Sequence, residues 1–420
     1  MKGSQRNPAS QNVIMKSSPQ SSILLLADGL RASSLGPYGN TWFETDSLNR
    51  LAAESLLFEQ CISDSIDNQL GIQGILTGRH CCSPRPVANE LVDAISSAGT
   101  DTVLITSNLD NVPECADCFD AVIEVDLPQN GLPAADIAST ALAAYFAAAV
   151  DFIQNCDQPV FLLLDSPGIS NAWDAPYSFR QQLADEDDPE PSELAIAPGM
   201  QFNDATDDPD LLFDFQVAYG GQVAMFDALL GILLDEIEQS KWASKALFSL
   251  ASSRGFPMGE HGVVGYYRPV LHTEMTHCPL FVRWPEASRL TGRSQQLVQP
   301  GSLYSLFRDW HELPDQQMTF QAIEKNRIMP SEHSAAVISR CHQDDAVQYA
   351  IQTHSWKLIN GTSLQLFVKP DDMWDYNNVL SLCRPVAELL EQELEGAVAK
   401  LADGVQPEFE LSDALAFGMA

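Results

Sequence analysis

Two rhythms of apolar and polar residues alternate along this chain, and the switches between them mark out its elements. Ile23-Leu24-Leu25-Leu26-Ala27 is an unbroken apolar run that stops at Asp28. An aliphatic run of that length predicts a strand buried on both faces, as in a parallel sheet, with Asp28 delivered to its C-terminal end. Residues 102–106, 121–125 and 159–164 have the same character, the last leading to Asp165, and 246–251 leads to Ser252 and Ser253. Helical spacing fills the intervals. Leu91, Ala94 and Ile95 recur within 90–98, an Ala-rich stretch covers 134–155, and Val223, Phe226, Leu230, Leu233 and Ile237 form one face of 215–239. Strands alternating with helices predict an α/β fold with a mostly parallel central sheet flanked by helices. Ligands and metals in such sheets gather beyond the carboxyl ends of the strands, which makes Asp28 the first candidate site residue.

From about residue 334 the rhythm shortens to two, and 346–359 reads as antiparallel strands followed by an amphipathic helix over 386–401. The expected organisation is a disordered tail over 1–20, a large domain over 21–333 and a small C-terminal α+β subdomain over 334–420. Residues 185–210 carry ten acidic side chains, four prolines and no Lys or Arg, the composition of a solvated surface loop.

Charge narrows the range of partners. Fifty-seven acidic residues against 23 basic ones give a formal net charge of -34. A field of that sign repels nucleic acid and anionic membrane, leaving a small anion or a protein as the expected partner. No apolar run approaches 18 residues and the first 20 lack the apolar core of a signal peptide, so the expectation is a cytoplasmic protein without a membrane span. The nine cysteines show no disulfide framework. Cys115-Ala116-Asp117-Cys118 is a lone CxxC flanked by acids, and a zinc or redox role for it would need further ligands; His80, Cys81 and Cys82 are the only dense group nearby in sequence.

A series of motifs carries a resemblance. Asp28-Gly29-Leu30-Arg31-Ala32 is followed by Leu35-Gly36-Pro37-Tyr38-Gly39-Asn40, then Leu48-Asn49-Arg50-Leu51-Ala52-Ala53-Glu54, and the block closes on Leu76-Thr77-Gly78-Arg79. Further on come Ser252-Ser253-Arg254-Gly255, Gly259-Glu260-His261-Gly262 and Pro279-Leu280-Phe281-Val282-Arg283-Trp284-Pro285. In order and approximate spacing this resembles the sulfatases of the alkaline phosphatase superfamily, over about residues 21–403 and most weakly over 110–215. The resemblance implies their fold and a reaction, sulfuric ester hydrolysis, that uses calcium, a formylglycine nucleophile made from Cys or Ser, and basic groups that hold the anion.

Carried over position by position, the resemblance implies a degenerate site. Asp28 is the one retained metal ligand, while Gly29, Ser253 and Arg254 stand at the other ligand positions. Asn68 stands at the nucleophile, Arg79 and His261 are kept, and Tyr266 replaces a lysine, with Arg268 two residues away. Cys82-Ser83-Pro84-Arg85-Pro86 misses the modification motif because Pro86 stands where it needs Arg, and it falls on the wrong side of the Thr-Gly-Arg anchor. The expectation is therefore a pseudoenzyme that needs no calcium, in which Arg254 pairs with Asp28. The rival is an active sulfate- or phosphate-ester hydrolase with an atypical nucleophile such as Ser63 or Ser65.

Overall fold

In the computed structural model, residues 20–84, 90–112, 116–314, 316–323, 336–343, 346–409, 411–412 and 415 are described. Residues 1–19 of the expected 1–20 tail, Cys115 and the expected boundary at 333–334 lie outside them. The first apolar run is strand β1, Ser22–Ala27, with every residue buried. It pairs in parallel with Val160–Ser166 on one side and with Leu247–Ala251 on the other, in registers that set Leu26 opposite both Asp165 and Ala251. The chain ends beyond these three central strands therefore converge. Asp28, Asp165 and Ser253 come to one edge because of strand register, although more than 200 residues separate the first from the last.

The sheet extends through Asp101–Thr106 and Ala121–Glu124 on one flank and through Leu280–Arg283, Leu56–Ile62 and Gly292–Val298 on the other. Among the described residues, only Leu280–Arg283 and the short His277–Cys278 run antiparallel to their neighbours in it. Because side chains alternate across a strand, β1 feeds two cores at once. Ile23, Leu25 and Ala27 pack in one apolar cluster, Leu24 and Leu26 in the other. The first cluster is closed by the helix Pro209–Gln239, the second by Asn68–Thr77 and Leu303–Trp310. Pro209–Gln239 is long and apolar enough to cross a membrane by composition, but its apolar window is 78% buried, as a core helix of this length must be.

Two sequence expectations need correcting. The Ala-rich helix begins at Ala141, not 134, because the Thr140 hydroxyl accepts from the Ala143 amide and caps it there. The acidic segment is not all loop: Met200–Gln201 pairs with Val263–Val264, and Pro209 opens the long helix behind an Asp208 cap. The C-terminal part forms a four-stranded antiparallel sheet, Val337–Gln343, Ala346–Gln352, Trp356–Asn360 and Leu364–Val368, with Arg384–Ala402 packed against it. The α/β fold with a mostly parallel sheet and a C-terminal antiparallel sheet is the one expected.

Candidate functional site: a guanidinium on the first-strand carboxylate

Asp28 follows β1 directly, and its carboxylate is engaged in full. Arg254 Nε donates to Asp28 Oδ1 at 2.7 Å and Arg254 Nη2 to Oδ2 at 2.9 Å, a two-pronged pair. The third guanidinium nitrogen, Nη1, donates to the Ile66 carbonyl at 3.2 Å. Tyr266 lies beneath the guanidinium, 3.7 Å from ring centroid to carbon. Burial works against the Arg254 cation, and the electrostatic influence of Tyr266 and the Asp28 carboxylate, with its hydrogen bonds, outweighs it, so the group is held above its ordinary pKa.

The neighbouring positions are closed by the same side chains. Gly29 has φ +77°, and a Cβ built on it would come 2.9 Å from the Tyr266 hydroxyl. A larger residue at 29 thus conflicts with both the backbone and Tyr266. Gly168 is as tightly placed: a Cβ there would meet the Asp28 carbonyl oxygen at 2.1 Å, so the loop after Val160–Ser166 lies directly on Asp28. Ser253 is buried, and its hydroxyl donates to the Asn68 side-chain oxygen. Asn68 opens the helix Asn68–Thr77, which Asp67 caps by accepting from the Gln69 and Leu70 amides.

Arg254, Asn68 and Tyr266 face a cleft of about 520 Å³. The C-terminal strand Val337–Gln343 supplies its opposite wall through Arg340 and His342, and exposed Arg268 stands at its rim. Three arginines lining one cleft contrast with a chain of net charge -34. Arg340 and His342 were missed by reading the sequence. They sit on a different element, more than 80 residues beyond Arg254, and nothing in their local pattern marks them; only the docking of the two sheets brings them here.

Other expected site residues lie elsewhere. Arg79 does not line the cleft. It follows the Gly78 cap of the helix, and its Nη1 donates to the Gly404 carbonyl at 3.3 Å, tying the helix end to the C-terminal segment. His261 also points away from the cleft. Its Nδ1 pairs with Glu274 at 2.7 Å, its Nε2 donates to the Asp375 carbonyl at 3.0 Å, and its ring stacks on His272 at 3.7 Å. Burial opposes charge on His261, and Glu274 outweighs it, raising that pKa. Burial and the neighbouring His261 charge push His272 the other way, down to about 3. Asp165, pushed up to about 6 by burial, accepts from Thr106 Oγ1 at 2.7 Å and Asn111 Nδ2 at 3.2 Å. Ser166 accepts the Gly168 amide at 3.2 Å. Ser63 is fully buried, its single hydroxyl proton set between the Ser65 and Ser253 carbonyls; Ser65 lines the cleft, and its hydroxyl accepts the Asp67 amide at 3.1 Å. Cys118 is a free thiol.

The sulfatase family model matches residues 20–310. This chain belongs to the sulfatase family. Solved structures extend the likeness over nearly the whole chain. One is of a protein, BT4656, in complex with its substrate D-glucosamine-2-N,6-O-disulfate: TM-score 0.74, 16% identity, covering 92% of this chain and 99% of that one. A second is the phosphonate monoester hydrolase of Agrobacterium radiobacter: TM-score 0.73, 14% identity, 91% and 96%. A third is the putative sulfatase yidJ from Bacteroides fragilis: TM-score 0.69, 14% identity, 96% and 98%. At these identities the likeness is one of fold. No curated protein matches the sequence.

Proposed function

We propose that this sulfatase-family chain has given up ester hydrolysis and serves as a pseudoenzyme that holds a small anionic ligand, or an anionic group of a partner protein, in the arginine-lined cleft. The observation that carries the reading is the two-pronged Arg254–Asp28 pair. A hard divalent cation needs six to eight oxygens at about 2.3–2.6 Å, several of them carboxylate. Here the Asp28 carboxylate has both oxygens taken by a positive guanidinium, Asp165 at the same edge accepts from Thr106 and Asn111, and the Ser253 hydroxyl is directed at Asn68. The residues present do not fit calcium. The carboxamide of Asn68 supplies no nucleophile, and it cannot become an aldehyde by the route open to Cys or Ser.

Without the cation, charge for an anion comes from side chains. Arg254 is spent on Asp28, but Arg268 and Arg340 line the same cleft, Arg340 with Nη1 on the Cys81 carbonyl and Nη2 beside His342, so that both guanidinium charges stand at its wall. Guanidinium forks match the geometry of sulfate, phosphate and carboxylate oxygens. The general field of the protein repels anions, so binding depends on this local patch and weakens with salt.

Calorimetric titration of the full chain with calcium, alongside arylsulfatase and phosphodiesterase assays, tests the reading. The expected results are no calcium heat and no turnover, with a sulfated monosaccharide bound by the wild type and lost in Arg340→Ala. Turnover abolished by Ser65→Ala would establish the hydrolase with an atypical nucleophile instead.

A further inference from the structure

Immediately after the Thr-Gly-Arg anchor, three soft or borderline ligands converge. His80 is buried, with its ring fixed between Phe320 and the Ile338 carbonyl, to which Nε2 donates at 2.9 Å. A carbonyl on one ring nitrogen is the usual device that fixes a metal-binding imidazole and leaves the other nitrogen as a lone pair. That other nitrogen, Nδ1, lies 3.7 Å from Cys81 Sγ, and Cys81 Sγ lies 4.0 Å from Cys82 Sγ. All three atoms fall within 4.8 Å of one another. A tetrahedral zinc with bonds of about 2.3 Å to sulfur and 2.0–2.1 Å to nitrogen has ligand–ligand edges of roughly 3.8 Å and 3.6 Å. The two edges measured here are longer by only a few tenths of an ångström or less.

The surroundings supply a second reason. Asp64 is 1% exposed, its Oδ2 accepts the Cys81 amide at 3.0 Å, and its Oδ1 has no hydrogen-bond partner among the described residues. A buried carboxylate oxygen left without a donor is costly unless something positive or protic meets it. Arg340 donates to the Cys81 carbonyl at 2.9 Å. Two thiolates, Asp64 and a divalent ion sum to one negative charge, which the Arg340 guanidinium balances.

We propose that His80 Nδ1, Cys81 Sγ and Cys82 Sγ form a zinc site at the seam between the main sheet and the C-terminal sheet, with the Asp64 carboxylate as its immediate acceptor and the fourth position open. On binding, both thiols release their protons to solvent, the Cys81 thiol gives up its contact with the Asp64 carbonyl, and Nδ1 gives up the Cys82 amide that it now accepts at 3.1 Å. No electron is transferred. The site adjoins the Asp28 cleft through Arg340, which lines that cleft and donates to the Cys81 carbonyl, but its ligands are not cleft residues and it does not depend on whether the chain hydrolyses esters.

The test uses the full chain, reduced and stripped of metal. Competition against a chromophoric chelator measures zinc affinity and stoichiometry, cobalt substitution reads ligand type through thiolate-to-metal charge-transfer absorption, and X-ray absorption of the zinc-loaded wild type counts sulfur neighbours without any substitution. One equivalent per chain and two sulfurs are expected, with affinity down at least ~100-fold in Cys81→Ser or Cys82→Ser and ~10- to 100-fold in Asp64→Asn, while Cys118→Ser and Cys156→Ser bind as wild type. Circular dichroism melts confirm that each variant is folded. An all-oxygen-and-nitrogen shell, sub-stoichiometric zinc in the reduced wild type, or binding indifferent to both cysteines would overturn the site.

Discussion

Among the described residues, the buried carboxylates Asp28 and Asp375 are both neutralised by side-chain cations, and they answer to different needs. Asp28 shares one arginine at the mouth of a cleft, where the guanidinium keeps 19% of its side-chain surface. Asp375 is sealed: Lys357 Nζ lies 2.8 Å from Oδ2 and Lys369 Nζ 2.6 Å from Oδ1, with at most 7% exposure on any of the three. The Thr273 amide and hydroxyl add donors to Asp375 at 2.8 and 2.9 Å. Burial alone would raise the Asp375 pKa, but Lys357 and Lys369 overcome it and hold the group far below the carboxylate range. This cluster bolts the Thr273–Thr276 turn to the C-terminal strands Trp356–Asn360 and Leu364–Val368. The cations that close the seam are surrounded on all sides; the one on the first-strand carboxylate stays reachable from the cleft.

The sharpest way to break the comparison is Asp375→Asn, which strands two buried ammonium groups. A loss of about 3–5 kcal/mol in unfolding free energy is expected from denaturant melts, and a loss below 1 kcal/mol would show that the lysines relax into solvent. At the cleft, Arg254→Met leaves Asp28 unpaired but near water, so the cost should be smaller, about 2 kcal/mol. Adding Asp28→Asn to that variant should recover part of the loss, and failure to recover any would mean that the arginine packs rather than neutralises. Installing the family's ligands in the double variant Ser253→Asp, Arg254→Asn should create a calcium-dependent rise in Tm that the wild type lacks.

Asp165 extends the comparison to a carboxylate with no cation. Burial is the main cause of its rise to about 6, the nearby Asp28 charge adds to it, and the Thr106 and Asn111 hydrogen bonds only moderate it. A folded pKa above that of the unfolded chain, near 3.9, means the native state holds the proton longer as pH rises. This group's contribution to stability is therefore present at low pH and is lost as pH climbs from about 4 through 6. Asp165→Asn should flatten that slope and gain about 2 kcal/mol at pH 7.5 over the wild type, measured by urea melts at pH 4.5 and 7.5. An unchanged slope would assign the pH dependence to another group. The smallest effect belongs to Tyr266→Phe, which removes one hydrogen bond, to the Gly255 carbonyl at 3.1 Å, and keeps the ring under Arg254: about 1 kcal/mol, with anion binding unchanged.

Periodicity and motif order disclosed the α/β plan, the strand that ends at Asp28 and the family, because each is written in a run of neighbours: alternation along a strand, an apolar stripe on a helix, a turn signature. The pairing of Arg254 with Asp28 was legible too, since a carboxylate at a buried strand end needs a partner and the family's own spacing placed an arginine there. Arg79 and His261 are kept motif residues whose pattern fits a structural part as well as a site, and they turn to Gly404 and to Glu274 and Asp375. Their direction depends on elements that the C-terminal sheet brings up, and no local pattern encodes it. Arg340 and His342 join the cleft only through that docking as well. The sequence by itself determined which faces of each element are apolar and hence how the sheet is layered. Only the tertiary structure decided which polar side chains meet across the layers, because a hydrogen bond or ion pair needs atoms within about 3 Å, and that separation is set by packing between segments hundreds of residues apart.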